Sequence, residues 1–196
     1  MILVLLAPGC TSGPAAIDDR PYAEQLQAWR AQKDADLRSA NDSPIPMADR
    51  ASFAGLTYYA VDPGYRVPAL FTADPTGPPV TIDLQTSQNG RQPMRRVGTL
   101  GFTLHGTSHK LSAFADVAAR QVDRLFVPFG DLTNGSETYQ GGRFLDLERT
   151  PTGLYDLDFN RAYLPYCVYN HSWECPIPPR ENRLAVAIRA GERLGK

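Results

Sequence analysis

From Phe53 to Arg189 the chain is a succession of short β-type runs cut by turn residues, and this cadence constrains the fold more than any other feature. The runs are Leu56 to Val61, Tyr65 to Phe71, Val80 to Thr86, Val97 to His105, Lys110 to Phe114, Leu125 to Phe129, Arg143 to Leu147, Leu154 to Phe159 and Leu184 to Arg189. Turn signals recur roughly every eight to twelve residues, the rhythm of an antiparallel sandwich or barrel. The 17 Pro and 16 Gly suit many turns and few long helices. Asp62-Pro63-Gly64 reads as the turn of a first hairpin, joining Leu56–Val61 to Tyr65–Phe71. Asn89-Gly90 marks a second, and Gly106-Thr107-Ser108-His109 a third. No βαβ rhythm, Rossmann fingerprint, phosphate loop or nucleophile elbow is present. The expected fold is therefore mainly β, an antiparallel β-barrel or sandwich with about nine strands.

One helix precedes the strands. Pro21 opens it, at a position where a missing N–H costs nothing. Tyr22, Leu26, Trp29, Lys33 and Leu37 then form one mostly apolar stripe, and Ser43-Pro44-Ile45-Pro46 follows its end near Asn41. The segment before it is of another kind. MILVLLAPGC is an apolar run with a small residue ahead of Cys10, resembling the end of a bacterial lipoprotein signal. It is shorter than the ~20 residues a spanning helix needs. The division is a signal-like segment over 1–10, a tether over 11–20 and one domain over 21–196. This places the protein in a bacterial cell envelope, touching the membrane only through a lipid on Cys10.

Net charge is −1, from 20 Lys+Arg against 21 Asp+Glu, with no basic run, so no nucleic-acid partner is expected. Three Cys divide into Cys10 for lipid and Cys167 with Cys175 for a disulfide, the pairing an exported chain favours. The spacing Cys167, His171, Cys175 also admits zinc or a Cys167–His171 nucleophile. The disulfide ranks first, and no metal or cofactor is expected. His105 and His109 flank a hairpin turn and read as exposed.

Two polar clusters stand out. The tract from Asp131 to Tyr139 combines Asx-turn formers with Glu137, Tyr139 and, after two glycines, Arg143. It either satisfies its own backbone or forms a rim over a cavity. In the second, Asp156, Asp158 and Asn160 alternate with Leu157 and Phe159 and so would share a strand face. A cation is expected between those carboxylates, Arg143 or Arg161 by preference, with an oxygen-ligated Ca²⁺ as the alternative. Tyr163, Tyr166, Tyr169 and Trp173 supply aromatic surface, and Glu181-Asn182-Arg183 leads into the last run.

The strings FVPFGDLTNGSETYQGGRFLDL, LDFNRAYLPYC and CPIPPRENRL resemble the DUF1684 family from the helix to Gly191-Glu192. Its members often look exported or lipid-anchored and carry no assigned activity, so the residues themselves must supply the site. The leading expectation is an envelope protein binding a small polar or anionic ligand. The candidate pocket comprises Asp131, Glu137, Tyr139, Arg143, Asp158, Asn160, Arg161, Tyr163, Glu181 and Asn182, with arginines forking the anion and a tyrosine capping it. Arg143, Asp158, Asn160 and Glu181 are expected to converge. The alternatives are a hydrolase using Glu137, Asp158 or Glu181 to activate water, and a structural envelope protein without a site.

Overall fold

A computed structural model describes residues 18–75 and 80–195. The helix forms as its stripe predicts, α1 (Tyr22–Ser39), with Leu26 and Leu37 buried. Seven strands follow: β1 (Arg66–Ala73), β2 (Val80–Gln85), β3 (Arg91–Leu104), β4 (Thr107–Asp116), β5 (Arg124–Phe129), β6 (Arg143–Glu148) and β7 (Leu154–Asp158). They make one antiparallel sheet in the order β6-β5-β4-β3-β1-β7, with β2 paired to the outer part of β3. The end strands β6 and β7 meet without a ladder, so the sheet is a nearly closed barrel.

Two hairpins follow from local chemistry. Asn89 takes φ 65° between β2 and β3, the left-handed conformation that an Asn-Gly turn supplies. The third turn is tighter than the sequence suggested. His105 and Gly106, both at positive φ, form a two-residue connection, and Thr107 to His109 already belong to β4. His105 is exposed and His109 half-buried. The long strand β3 bends at a bulge between Arg96 and Gly98. A Cβ at Gly98 would strike the Thr72 carbonyl and the Phe71 ring, so the bend needs glycine.

Alternate residues of the strands fill the barrel. Leu100, Phe102 and Leu104 of β3 meet Leu125, Val127 and Phe129 of β5, Leu145 and Leu147 of β6, and Leu157 of β7. A second, outer cluster of Leu84, Met94 and Phe114 lies where β2 covers the sheet. A third joins Phe144 to Cys167 and Cys175. Strand β4 is buried on both faces, which is why its burial does not alternate.

Two expected strands are absent. Leu56–Val61 and Leu184–Arg189 are irregular, and Asp62-Pro63-Gly64 does not close a hairpin; Pro63–Tyr65 is a 3-10 turn leading into β1. Side chains and isolated backbone pairs take the place of a continuous ladder. Asn160 accepts from the Asp62 N–H at 3.0 Å and donates to its carbonyl at 2.8 Å. Asp34 accepts from the Leu56 N–H at 3.0 Å. Arg143 donates to the carbonyls of Ile188, Ala190 and Glu192 at 2.6, 2.5 and 3.0 Å, and Asp131 accepts from the Ile188 N–H. Isolated backbone pairs supply the rest, among them the Tyr59 N–H to the Gly191 carbonyl at 2.9 Å and the Leu184 N–H to the Gly130 carbonyl at 2.7 Å, so neither segment extends a ladder.

Candidate functional site

The ten residues singled out in the sequence separate into distinct environments. Asp131 and Arg143 form a sealed ion pair at 2.9 Å, both side chains at 0% exposure. Asp131 Oδ1 also takes the Thr133 N–H and hydroxyl at 2.8 and 2.6 Å. Asn134 accepts from the Asp131 N–H and donates to Thr138. The tract thus satisfies its own backbone, and it does not present Arg143 to a cavity. Both terminal nitrogens of that guanidinium are committed to carbonyls and carboxylate, so the expected arginine fork for an anion is not available at Arg143.

Nor do Arg143, Asp158, Asn160 and Glu181 converge. Asp158 is buried under α1, where the Tyr22 hydroxyl lies 2.9 Å from both its oxygens and Arg161 lies 3.5 Å away. Asn160 shares that network, with its N–H and Nδ2 both on Asp158 Oδ1. Glu181 is exposed. Asp156 and Asp158 do share the face of β7 opposite Tyr155 and Leu157, but they take different cations, Asp156 pairing with Arg66 at 2.7 Å in the open and Asp158 facing Arg161. Only Asn160 leaves that face, because the strand ends at Asp158 and the chain turns into a 3-10 turn over Phe159–Arg161.

Asn182 is fully buried and bridges Ser112 of β4 to Pro128 of β5. Glu137 is gripped by Arg189 at 2.8 to 3.1 Å and accepts from the Tyr59 hydroxyl at 3.1 Å. The Arg189 hydrogen bonds hold its carboxyl below the usual range, the reverse of what a general base at neutral pH requires. Tyr139 packs on Phe144 and the two cysteines.

Cys167 and Cys175 are free thiols in this structure, not the expected disulfide. They sit together in an apolar cluster, where the Cys167 N–H donates to Cys175 Sγ at 3.3 Å. Burial pushes the Cys175 thiol up to about 12. His171 is exposed, and no metal-ligating cluster occurs among the described residues. Cys10 and the signal-like segment lie outside the described residues.

A hollow of about 680 Å³ lies on the outside of the barrel. Its floor is the solvent-side face of β5 and β6. Arg124 pairs with Glu148 and Phe126 with Asp146 across the ladder, and Phe144 continues the row. The residues between them, Leu125, Val127, Leu145 and Leu147, point into the core, so strand alternation alone aims this set outward. Trp29 and Lys33 of α1 form one wall. Arg161 and Tyr163 form another, because Tyr163 pairs through its backbone with Phe144 at 2.9 and 3.0 Å, extending the sheet at the β6 edge. Tyr166, Trp173, Glu174 and Cys175 close the third side, with the Tyr166 and Trp173 rings edge-to-face at 5.2 Å.

Of the expected ligand-binding residues, only Arg161 and Tyr163 line this space. Asp146 is the chief residue that sequence reasoning missed. It opens into the hollow, hemmed by its walls, and the Tyr163 hydroxyl donates to its Oδ2 at 3.0 Å. Burial raises its pKa, with Tyr163, Arg124 and Lys33 acting in the opposite sense. Burial likewise pushes the Tyr163 hydroxyl far up. The signal that could have found the floor is the outward register of RLFVPF and RFLDLE, which sets two Phe among Arg, Asp and Glu on a non-core face.

A mainly antiparallel, nearly closed barrel with one packed helix and a charged, aromatic hollow on its flank is the class that fold and geometry define. The profile of the DUF1684 family, described as proteins of unknown function, matches residues 51–193, and the chain belongs to that family. The solution NMR structure of an uncharacterised protein from the archaeon Haloarcula marismortui is similar in fold and sequence. It is 43% identical at a TM-score of 0.68, over 87% of this chain and 93% of that one. No curated protein matches the chain.

Proposed function

We propose that this protein binds a small amphipathic organic molecule in the hollow between α1, the β5–β6 face and the Tyr166–Pro176 segment. The observation that carries the reading is the lining: Trp29, Phe126, Phe144, Tyr163, Tyr166 and Trp173 around a 680 Å³ space that also contains carboxylates. Small-molecule sites have this size and this mixture of apolar wall and a few placed polar groups. The barrel interior, by contrast, is filled with side chains.

An isotope-labelled sample titrated with a panel of small aromatic compounds tests this. Chemical-shift changes are expected to cluster on Phe126, Phe144, Tyr163 and Trp173. Changes confined to other surfaces, or none at millimolar concentration, reject it.

A second reading, an anionic ligand, has one observation behind it. Arg161 is stacked on Trp29 at 5.1 Å, faces the hollow with its side chain 43% exposed, and donates no hydrogen bond to any described residue. The envelope location and the lipid on Cys10 remain part of the proposal, supported by the apolar run that ends in Gly9-Cys10.

A further inference from the structure

Three cations and three carboxylates line the hollow, but they do not pair one to one within it. Each cation already has a carboxylate of its own. Lys33 is 2.5 Å from Glu192, which is 1% exposed and also accepts from the Leu164 N–H and the Tyr169 hydroxyl. Arg161 is tied to Asp158 at 3.5 Å and Arg124 to Glu148 at 3.2 Å. Two lining carboxylates are left over, Asp146 and Glu174. Neither forms an ion pair among the described residues. Asp146 uses Oδ2 for the Tyr163 hydroxyl, and no described residue donates to its Oδ1. Glu174 accepts from the Thr86 hydroxyl through Oε1.

We infer that the hollow is selective for an organic cation: an ammonium group seated on Asp146 Oδ1, carried by an apolar or aromatic body. This rests on the reading of the hollow as a ligand site. The ammonium would supply the charge-assisted hydrogen bond that Asp146 lacks. The body would lie along Phe126, Met94 and Phe144 on the floor, beneath the half-exposed rings of Tyr166 and Trp173. A cation beside these rings also gains from their electron-rich faces. Lys33, 4.6 Å above the Tyr163 ring, already uses that attraction from the α1 side. Glu174 adds a second negative group at the far rim and favours approach of positive charge.

The chain supplies its own reporters. Its only two tryptophans, Trp29 and Trp173, both line the hollow. Full-length protein is titrated with 2-phenylethylammonium, its neutral isostere 2-phenylethanol and the anion 3-phenylpropionate, with tryptophan emission as readout. Tightest binding by the ammonium compound is expected. Asp146→Asn should weaken it about tenfold, as loss of one charge-assisted hydrogen bond implies, while leaving the alcohol unchanged. Circular dichroism establishes that the variant is folded. Equal binding of all three compounds, or preference for the anion, overturns the cation inference and leaves the hollow as a ligand site. Binding of none of them up to millimolar concentration removes both.

Discussion

The side-chain amide of Asn182 pairs with both backbone groups of Ser112, as a neighbouring strand would. Its Oδ1 accepts from the Ser112 N–H at 2.7 Å and its Nδ2 donates to the Ser112 carbonyl at 2.8 Å, while the same nitrogen reaches the Pro128 carbonyl at 2.7 Å. Ser112 is on β4 and Pro128 on β5, two strands that share a single laddered pair, Phe114 with Phe126. Asn182 therefore spans the place where these strands splay. Asn182→Ala would leave the Ser112 N–H and two carbonyls unpartnered in a buried site, at about 1–3 kcal/mol per orphaned group. A clear fall in melting temperature is expected, and calorimetry showing none would reject the bridging role.

Arg143 and Asp131 are predicted to be coupled strongly. Removing one strands the other in a site closed to solvent, at roughly 3–5 kcal/mol. Arg143→Ala and Asp131→Ala should each destabilise the fold. The double variant should lose less than the sum of the two. Arg143→Lys should rescue little, because an ammonium cannot reach three carbonyls and a carboxylate from the plane of a guanidinium. Denaturant unfolding of the four proteins measures the coupling, and additivity would refute it.

Asp146 should make the fold less stable at neutral pH than in acid, relative to Asp146→Asn. Its unfolded carboxyl titrates near 3.8 and burial raises the folded value above that. Below 3.8 both states hold the proton and the residue is neutral in stability. As pH rises from there through the folded pKa, the native state keeps a proton that the unfolded chain has released, and stability falls across that window. Above it the deficit is constant. Asp146→Asn should therefore gain on the wild type as pH rises from about 3.8 through the raised folded pKa, by comparison of urea midpoints. An unchanged difference across that range would contradict the assignment.

Cys167 and Cys175 should be nearly inert in the native protein. With its thiol pushed up to about 12, Cys175 has roughly one part in 10⁵ of thiolate at pH 7. Alkylation of native, reduced protein should be slow, and become fast for both thiols in denaturant. Rapid labelling of the native chain would mean the Phe144 cluster is open.

Lipid attachment at Cys10 is checked by metabolic labelling with a fatty-acid probe. Incorporation into the wild type and its loss in Cys10→Ser are expected. Equal labelling of the two, or of neither, ends the proposal.

The sequence by itself determined what depends on near neighbours. The stripe Tyr22, Leu26, Trp29, Lys33, Leu37 set α1, the Asn89-Gly90 pair set a hairpin, and alternation set the inward residues of β5, β6 and β7. It also singled out Asp131, Arg143, Asn160 and Asn182, but as ligand-binding candidates and not as the structural hydrogen-bonders they are. Tertiary structure decided the partners, because each lies far along the chain: Ser112 for Asn182, Ile188 and Ala190 for Arg143, Asp62 for Asn160. Distant side-chain bonds and isolated backbone pairs likewise took the place of ladders in two expected strands, since backbone groups satisfied singly need no sheet edge. The hollow belongs wholly to this level. Its helix wall, its strand floor and its aromatic rim come from three separated stretches of sequence, and only closure of the barrel and docking of α1 place Trp29, Asp146 and Trp173 around one space.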